Sequence, residues 1–323
     1  MATPDPLASA ERVTTPEEPM RTCVIVNPKS GSVRHLSDMM SRIRQHPALQ
    51  EPEFRLTDGR AGGTALARAA VEEGFTRILS VGGDGTLNEV VNGVGPHREG
   101  VVVGVLPTGT GNDFARSIGF PNDLDEALEA LVGAVERATD VIRVSGGVER
   151  LCVNCAAGGF SGQVDEELTP QMKQSWGPLA YLRSAWEVLP DLTDYHTELA
   201  LDGEPPIPLD CVNVVVANGR TAAGGIPVAP ASRLDDGLLD VMVVKLAPLR
   251  ELTGVASRIV AGRHLEHDLI LFRQARRASI ASRPGMWFNL DGELLTREPL
   301  TFEVLPGALT VITAPNAPAF GAD

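Results

Sequence analysis

The sequence predicts an α/β N-terminal domain with a doubly wound, mostly parallel sheet, followed by an antiparallel β-sandwich domain. Up to about residue 148, apolar strand-like runs alternate with helical stretches, and this alternation is typical of parallel sheets. Beyond that point, strand-like runs follow one another with turns between them, as they do in antiparallel sandwiches. A chain of 323 residues is long enough for one or two domains with substantial cores.

The domain boundaries follow from these changes in pattern. We expect a disordered lead-in at residues 1–20, the α/β domain at 21–148 and the β-rich domain at 149–323, with a last strand or tail that can return to the first domain. The lead-in has neither the basic start nor the apolar core of a signal peptide. No apolar run reaches the roughly 18 residues of a membrane-spanning helix, so we expect a cytoplasmic protein.

Three strand-like runs of the first domain end in loops of Gly, Ser, Thr and Asn. Because the carboxyl ends of parallel strands share one edge of a sheet, these loops should lie together where ligands bind. Helical stretches follow at Phe114–Ile118, which Gly119 closes, and at Leu124–Arg137. The three runs with their loops are Cys23–Val26 with Asn27–Gly31, Arg77–Val81 with Gly82–Glu89, and Val101–Leu106 with Pro107–Asp113.

The loop at Gly82–Glu89 has the composition of an anion-binding site. Its glycines free the backbone for close approach to a ligand, and the spacing of Thr86 and Glu89 predicts a capping box at a helix start. The N-terminus of a helix attracts phosphate, and Lys29 and Thr110 can add a charge and a hydroxyl. Asp84 would repel phosphate directly, so it would act through a metal, a hydroxyl or the loop itself. A plain βα turn is the alternative.

Known phosphate-binding motifs are absent from the sequence. It contains no Gly-x-x-x-x-Gly-Lys-Ser/Thr and no complete Gly-x-Gly-x-x-Gly. The loops therefore belong neither to a P-loop enzyme nor to a dinucleotide-binding domain of the usual type.

In the second domain, one helix is expected among the strands. Leu179, Leu182, Trp186 and Leu189 recur at helical spacing and give one apolar face. The predicted strands are Thr197–Leu201, Cys211–Ala217, Leu238–Leu246, Ala278–Leu290 and Leu300–Thr313.

The four cysteines lie in apolar runs, and we interpret them as buried small hydrophobic residues. His264 and His267 stand at metal-ligand spacing but lack a third ligand, so we expect a solvated helix surface there. The net charge of −14 argues against nucleic acid as a partner. Residues 250–283 depart from this average, because they carry seven arginines against three acidic residues. This segment is either a membrane-docking face or a solvated surface.

Six pieces of the sequence follow one another between about residues 21 and 315. They are Asn27–Gly31, Gly82–Glu89, Leu106–Ala115, Asn218–Gly219 with Gly224–Gly225, Leu234–Val241 and Leu290–Glu293. In order and spacing they resemble the diacylglycerol-kinase-type catalytic domain, the lipid kinase family that includes diacylglycerol, sphingosine and ceramide kinases, and they are most similar to its soluble bacterial members. The Gly-Gly-Asp-Gly piece is also similar to NAD kinases and phosphofructokinases, whereas Leu106–Ala115 and Leu234–Val241 indicate the lipid kinases.

The resemblance implies an ATP- and Mg²⁺-dependent lipid kinase that phosphorylates a lipid hydroxyl, with diacylglycerol converted to phosphatidic acid as the first expectation. A sphingoid- or ceramide-type kinase, or another lipid kinase, is the alternative. A kinase of a soluble acceptor such as NAD is a further one. The implied partners are a lipid substrate and, transiently, a membrane surface at which the protein is peripherally associated. The oligomeric state stays open, with a homodimer among the alternatives.

The resemblance also implies roles for individual residues. Glu293 would accept the proton of the lipid hydroxyl, and Asp291 would share that role or bind the catalytic Mg²⁺, with Asp84 completing the site. Asp-Gly-Glu also occurs at 202–204, where only a turn is expected. The implied ATP contacts are Asn27, Pro28, Lys29, Ser30, Gly31, Thr57, Gly82, Gly83, Asp84, Gly85, Thr86, Leu87, Asn88, Glu89 and Thr110.

Two further sites are implied by the family. A structural Mg²⁺ would be held by the Asp236 side chain and by the backbone carbonyls of Arg233 and Leu238, because hard oxygen ligands suit this ion. The acceptor lipid would enter an apolar cleft in the second domain. Ala157–Phe160 and the helix that contains Trp186 are the candidate walls of that cleft.

Overall fold

The computed structural model describes residues 20–31, 35–59, 62–160, 193–296 and 299–321, with residues 293–296 described by their backbone alone. The predicted lead-in, apart from Met20, and the predicted helix at Leu179–Leu189 lie outside these residues. None of the helices in the described ranges is long and apolar enough to cross a membrane.

The first domain is built on parallel strands in the spatial order β2-β1-β3-β4. All five residues of β1 are buried, as expected for a strand with helices packed on both faces of its sheet. The strands are β1 (Thr22–Val26), β2 (Glu53–Leu56), β3 (Arg77–Gly82) and β4 (Val102–Pro107). The helices are α1 (Leu36–Gln45), α2 (Gly62–Glu72), α3 (Asp84–Val94), α4 (Asp113–Ser117) and α5 (Leu124–Ala130), the last followed by a 3₁₀ turn at Leu131–Gly133.

The second domain is antiparallel, which confirms the predicted fold class. One helix of this domain lies within the described residues, α6 (Leu249–Val260). Its strands are β5 (Val135–Ser145), β6 (Arg150–Cys152), β7 (Cys155–Gly159), β8 (Tyr195–Leu201), β9 (Ile207–Ala217), β10 (Leu239–Lys245), β11 (Ile270–Ala275), β12 (Arg277–Arg283), β13 (Phe288–Leu290) and β14 (Glu293–Thr296).

The last strand, β15 (Leu300–Thr313), joins the two sheets. Near its end, Thr310 pairs with Val102 of β4 in a parallel ladder. Near its start, Leu300 pairs with Ile280 of β12 in an antiparallel ladder. The C-terminal strand therefore adds to the first sheet. Strand β5 precedes the predicted boundary near residue 148 but pairs antiparallel with β15, and that boundary stays a prediction.

Separate apolar cores stabilise the two halves. One core surrounds β1, β3 and β4 and includes α1 to α5. A second core lies inside the antiparallel domain and contains Phe288 and Phe302, whose ring centroids are 5.6 Å apart. In a third cluster, Leu252 and Val255 of α6 pack with β9 and β10 residues such as Val215. All four cysteines are free and buried, as predicted.

Two predicted element boundaries are wrong. The helix predicted at Leu124–Arg137 ends at Ala130, because residues from Val135 onward pair with β15, beginning opposite Thr313. Long-range pairing thus overrides local helical propensity. The strand predicted at Ala278–Leu290 is divided into β12 and β13, because β12 pairs with β8 whereas β13 pairs with β7.

The capping box predicted at Thr86 and Glu89 is also wrong. Helix α3 begins at Asp84 with Gly83 as its N-cap residue, so Thr86 already lies inside the first turn. The expected solvated helix surface at His264 is wrong as well. The His264 side chain is fully buried in a turn after α6, and its Nε2 lies 3.1 Å from the carbonyl oxygen of Val228.

Candidate active site

The three polar loops meet at the carboxyl edge of the parallel sheet. The backbone N–H of Asn27 donates to the carbonyl of Val81 at 3.0 Å, which joins the first loop to the end of β3. The N–H of Thr108 donates to the carbonyl of Gly82 at 2.9 Å, which joins the third loop to the second. These bonds continue the strand pairing into the loops, so the loops emerge side by side.

The first loop is organised by the side chain of Asn27. Its amide donates to the Thr86 hydroxyl at 3.2 Å, and its carbonyl oxygen accepts from the N–H of Lys29 at 3.0 Å. This arrangement leaves the Lys29 side chain exposed at the rim. Pro28 and Ser30 complete the turn, since the Ser30 N–H donates to the Asn27 carbonyl at 3.1 Å.

Thr57 and Thr110 lie at the same edge. The N–H of Thr57 donates to the carbonyl of Val26 at 2.9 Å, which places this buried residue just beyond the end of β2 and beside the first loop. A Cβ on Gly31 would be 3.5 Å from the Thr110 hydroxyl. The first and third loops therefore face each other across a short gap.

Two glycines allow the second and third loops to touch. A Cβ on Gly109 would clash with the Cα of Gly83, so only two glycines permit this backbone contact. By contrast, a Cβ on Gly85 would meet nothing within 4 Å, so the start of α3 opens toward free space. The first N–H groups of a helix have no intrahelical partner and attract anions. The cradle therefore fits a phosphate group.

The remaining side chains of Gly82–Glu89 are engaged within the protein. Leu87 is in the core of the first domain. Thr86 accepts from Asn27, and a Glu89 carboxylate oxygen accepts from the Gly63 N–H at 2.8 Å. In this stretch, a ligand would therefore contact the glycine backbone and Asp84.

Asp84 is half-buried among other carboxylates. Its Oδ1 accepts from the Phe114 N–H at 3.2 Å, and a Cβ on Gly111 would be 2.9 Å from its Oδ2. Loss of hydration raises the pKa of Asp84 to about 7, and the charges of Asp113 and Asp291 add to this shift. The carboxylates of Asp84 and Asp113 approach one another beside Gly111 and offer oxygen ligands that suit a hard divalent cation such as Mg²⁺.

Asp113 links the third loop to the second domain. Its carboxylate accepts from the N–H groups of Gly224 at 2.8 Å and Gly225 at 2.7 Å. Sequence analysis placed Asp113 in a polar loop without assigning it to the site. The signal was the Gly224–Gly225 pair, since both residues adopt positive φ angles, 84° and 112°, that favour glycine.

Asp291 is almost completely buried, and its carboxylate accepts five hydrogen bonds. Burial raises the pKa of Asp291, and hydrogen bonds from Val153, Cys152, Asn88 and Cys155 oppose that shift. One of these donors, Asn88, lies one turn after Asp84 on α3 and is 2.7 Å from Asp291 Oδ2. The contact brings the second Asp-Gly-Glu motif to helix α3.

The two Asp-Gly-Glu motifs form similar turns with different surroundings. Asp202 and Asp291 both adopt left-handed backbone conformations, with φ of 51° and 46°. The Asp202 carboxylate accepts from the N–H groups of Arg276 and Arg277, both at 2.8 Å, on an exposed hairpin. Glu293 follows the second turn directly as the first residue of β14, and its side chain lies outside the described part of the chain.

The region predicted for a structural metal contains several carboxylates. Asp236 is exposed as a whole residue, and its Oδ1 accepts from the Leu238 N–H at 3.0 Å. Partial loss of hydration at its carboxylate raises the pKa of Asp236, and the charge of Asp235 adds to this rise. Asp140 accepts from the N–H of Gly237 at 2.7 Å, and its pKa is raised by burial and by nearby Asp236. The Arg233 side chain donates to Asp235 at 3.0 Å, and because a guanidinium has no acceptor, only the Arg233 carbonyl could serve a metal.

A different group of potential ligands lies on the surface of the second domain. Among the described residues, Asp194, His196 and Asp210 have ligand atoms within 4.8 Å of one another. His196 Nδ1 is 2.6 Å from Asp210 Oδ1, and this contact raises the pKa of His196. These residues belong to β8, β9 and the segment before β8, and they are not part of the loop cluster.

Two family models match the chain in succession. Residues 21–144 match the diacylglycerol kinase catalytic domain, and residues 155–313 match the YegS C-terminal NAD kinase β-sandwich-like domain. The chain is 33% identical to the diacylglycerol kinase of Bacillus subtilis (strain 168) over 277 residues, which are 84% of this chain and 89% of that protein.

Further similarity extends over nearly the whole chain. A diacylglycerol kinase of Staphylococcus carnosus is 30% identical over 296 residues, 91% of this chain and 95% of that protein. Among solved structures, a diacylglycerol kinase from Bacillus anthracis is similar in fold, with a TM-score of 0.71, 24% identity, and coverage of 92% of this chain and 98% of that chain.

Proposed function

The chain belongs to the diacylglycerol kinase family and is a phosphotransferase with an alcohol group as acceptor, and we propose that it transfers the terminal phosphoryl group of ATP to the free hydroxyl of diacylglycerol, forming phosphatidic acid. The observation that carries this proposal is the convergence of the three polar loops and the second Asp-Gly-Glu turn on one helix start, α3. A donor nucleotide and an acceptor alcohol can meet there.

The three loops would hold the triphosphate. The N-terminus of α3 offers N–H groups and the positive end of the helix dipole, and the exposed Lys29 adds a point charge. Thr110 is exposed beside Gly31 and can donate its hydroxyl. Thr57 completes the edge. Phosphoryl transfer depends mainly on such positioning and charge stabilisation.

Asp84 is the residue we assign to the catalytic metal. Bound Mg²⁺ supplies positive charge that neutralises oxygens of the triphosphate. The pKa of Asp84 is raised first by loss of hydration and then by the charges of Asp113 and Asp291, so an adjacent cation would keep Asp84 ionised at neutral pH. We place the structural metal at Asp236 and at the carbonyls of Arg233 and Leu238.

Glu293 is the residue we assign as proton acceptor. When the lipid oxygen bonds to phosphorus, its proton must be removed, and a positioned carboxylate does this at neutral pH. Glu293 starts β14 directly after the turn that Asp291 attaches to α3. Its backbone is two residues along the chain from the Asp291–Asn88 contact.

The acceptor would lie along β7, next to the same turn. A side chain on Gly158 would clash with the Phe288 ring, so this strand packs closely against β13, which leads to Asp291. We assign Ala157–Phe160 to the wall of the lipid cleft. A sphingoid or ceramide acceptor would use the same machinery and differ in cleft shape, and NAD would need no such apolar wall.

We assign membrane contact to the basic segment, residues 250–283. All seven of its arginines are exposed. Leu249 and Val260, at the two ends of α6, are 45% and 54% exposed. Arginines beside exposed apolar side chains suit the surface of an anionic bilayer, and a peripheral lipid kinase needs such contact to reach its substrate.

The proposal is tested by incubating the protein with labelled ATP, Mg²⁺ and a panel of acceptors: diacylglycerol, a sphingoid base, ceramide and NAD. We expect label in phosphatidic acid, and a loss of about 100-fold or more in Glu293→Gln, because a general base contributes about that much. Label in NAD alone would reject a lipid acceptor. Near-normal turnover of Glu293→Gln would remove Glu293 from the catalytic residues.

A further inference from the structure

We propose that Asp291 and Asn88 are a positioning pair, in which the buried carboxylate of Asp291 fixes the Asp-Gly-Glu turn against helix α3 and neither accepts the substrate proton nor binds Mg²⁺. The inference rests on the proposed function. It assigns to Asp291 a role that follows from its contacts within the second domain and across to the first.

The carboxylate of Asp291 has no capacity left for a proton or a metal. Its Oδ1 accepts from the N–H groups of Asn154 and Cys155, both at 3.0 Å, and from the Cys152 thiol at 3.1 Å. Its Oδ2 accepts from the Val153 N–H at 2.8 Å and from the Asn88 amide at 2.7 Å. Five donors saturate the roughly four lone-pair directions of a carboxylate.

The turn between β6 and β7 is built to surround an anion. Three consecutive backbone N–H groups, those of Val153, Asn154 and Cys155, point at one carboxylate. Such a concave row of N–H groups is a recognised anion-binding arrangement. Here the bound anion is a side chain of the protein itself, because the Asp291 carboxylate accepts these N–H bonds.

The same turn holds a second part of the site. The Asn154 carbonyl accepts from the N–H groups of Asn218 at 2.9 Å and Gly219 at 2.8 Å, and its side chain donates to the Thr221 carbonyl. The loop that follows contains Gly224 and Gly225, which Asp113 binds. The turn that surrounds the Asp291 carboxylate thus also positions the segment that contains Asn218 and Gly219.

Asn88 connects this turn to helix α3, which begins in the loop at Gly82–Glu89. Its amide donates both to Asp291 and to the Leu151 carbonyl at 2.8 Å. Asn92, one turn later, pairs with the N–H and the carbonyl of Leu151. Because Asp84 is the first residue of the same helix, this pair sets the position of Asp84 relative to the turn that precedes Glu293.

The experiment compares Asn88→Ala, Asp291→Asn and the double variant with Asp202→Asn as the matched control. Asp202 shares the Asp-Gly-Glu motif, the left-handed backbone and the acceptance of two N–H bonds, but it lies on a remote hairpin. For Asn88→Ala and Asp291→Asn we expect kcat to fall about tenfold or more, because hydrogen bonds to charged groups are at stake. Asp202→Asn should leave kcat on a short-chain, water-soluble diacylglycerol unchanged, and the other variants are compared on the same substrate.

The kinetic signature separates positioning from chemistry. We expect the KM for ATP and the Mg²⁺ dependence of the single variants to stay within about twofold of the wild type, and the acid limb of the pH–rate profile to persist. The double variant should be slowed less than the product of the two single effects, because both changes remove the Asn88–Asp291 contact. Loss of the acid limb or a tenfold higher Mg²⁺ requirement in Asp291→Asn overturns the inference.

Thermal unfolding gives a readout that is independent of catalysis. The stability losses of the two single changes should be strongly non-additive in the double variant, and additivity would overturn the pairing. If Asp291→Asn does not fold, Asn88→Ala still reports the kcat and KM effects. Absence of lipid phosphorylation by the wild type would reject the proposed function, whereas the coupling measurement would still decide whether the pair exists.

Discussion

At Asp84, the ionisation of one carboxylate connects stability to function. Its pKa of about 7 in the folded protein lies well above the value near 4 of an unfolded chain. Between these values the folded state binds more protons than the unfolded state, so the ionised carboxylate makes the fold less stable as the pH rises toward 7. The carboxylate that we assign to the catalytic metal is thus held at a cost to stability, as is common at active sites.

Because we assign the catalytic metal to Asp84, Asp84→Asn should abolish lipid phosphorylation. Because asparagine carries no charge, the variant should also have a higher melting temperature than the wild type in the absence of Mg²⁺. The gain in melting temperature over the wild type should be largest above pH 7 and vanish toward pH 4. Added Mg²⁺ should raise the melting temperature of the wild type more than that of the variant. Calorimetric scans at pH 5 and pH 8 measure both effects, and a variant with near-normal turnover would contradict the assignment.

Among elements, α6 and the turn after it combine packing with a buried titratable group. Loss of hydration lowers the pKa of His264, which is fully buried against the Val228 carbonyl. The folded protein resists protonation here, so the contribution of His264 to stability is complete above about pH 6.5 and falls as the pH drops below that value.

His264→Gln should reduce the acid sensitivity of the fold. Between pH 7.5 and pH 5.5, the melting temperature of the wild type should decrease more than that of the variant, because glutamine does not titrate. His97→Gln is the control, since His97 lies in the other domain on a loop after α3. Equal losses in the wild type and His264→Gln would show that protonation of His264 does not limit stability.

The docking role proposed for α6 and the basic segment is also tested at this scale. Replacing Arg273, Arg276 and Arg277 by glutamine, or Leu249 and Val260 by aspartate, should weaken sedimentation with anionic vesicles at low salt about tenfold or more, because each basic residue near the surface contributes about 1 kcal/mol.

Val132→Asp is the matched control for these changes, because Val132 is 69% exposed on the first domain. It should bind vesicles as the wild type does. Turnover of a short-chain, water-soluble diacylglycerol should stay normal in all these variants. Unchanged vesicle binding after loss of the three arginines would reject the docking role.

For the whole molecule, β15 makes the two domains depend on each other. It pairs with β4 of the first sheet and with β5 over ten residue pairs, from Thr301 to Thr313. The strand that completes the edge of the first sheet is thus the last one in the chain. A buried sheet edge without its partner exposes unpaired backbone groups and apolar side chains.

A fragment of residues 21–148 should therefore fail to fold cooperatively on its own. Without β15, β4 would become an exposed apolar edge, and β5 would lose its partner. Far-ultraviolet circular dichroism during thermal unfolding, with the full chain as control, measures this. A cooperative transition in the fragment near that of the full chain would show that β15 is dispensable for the first domain.

The sequence by itself determined the fold class, the buried strands and the three polar loops, because strand and turn patterns arise from residues that are neighbours in the chain. The tertiary structure decided at which residues α5 ends and α3 starts, and which groups bind the Asp291 carboxylate. Asn88 and Asp291 are separated by 203 residues, and no local pattern encodes such a contact. It forms only when the antiparallel domain folds back onto the parallel sheet, and the burial that results also sets the pKa values of Asp84 and His264.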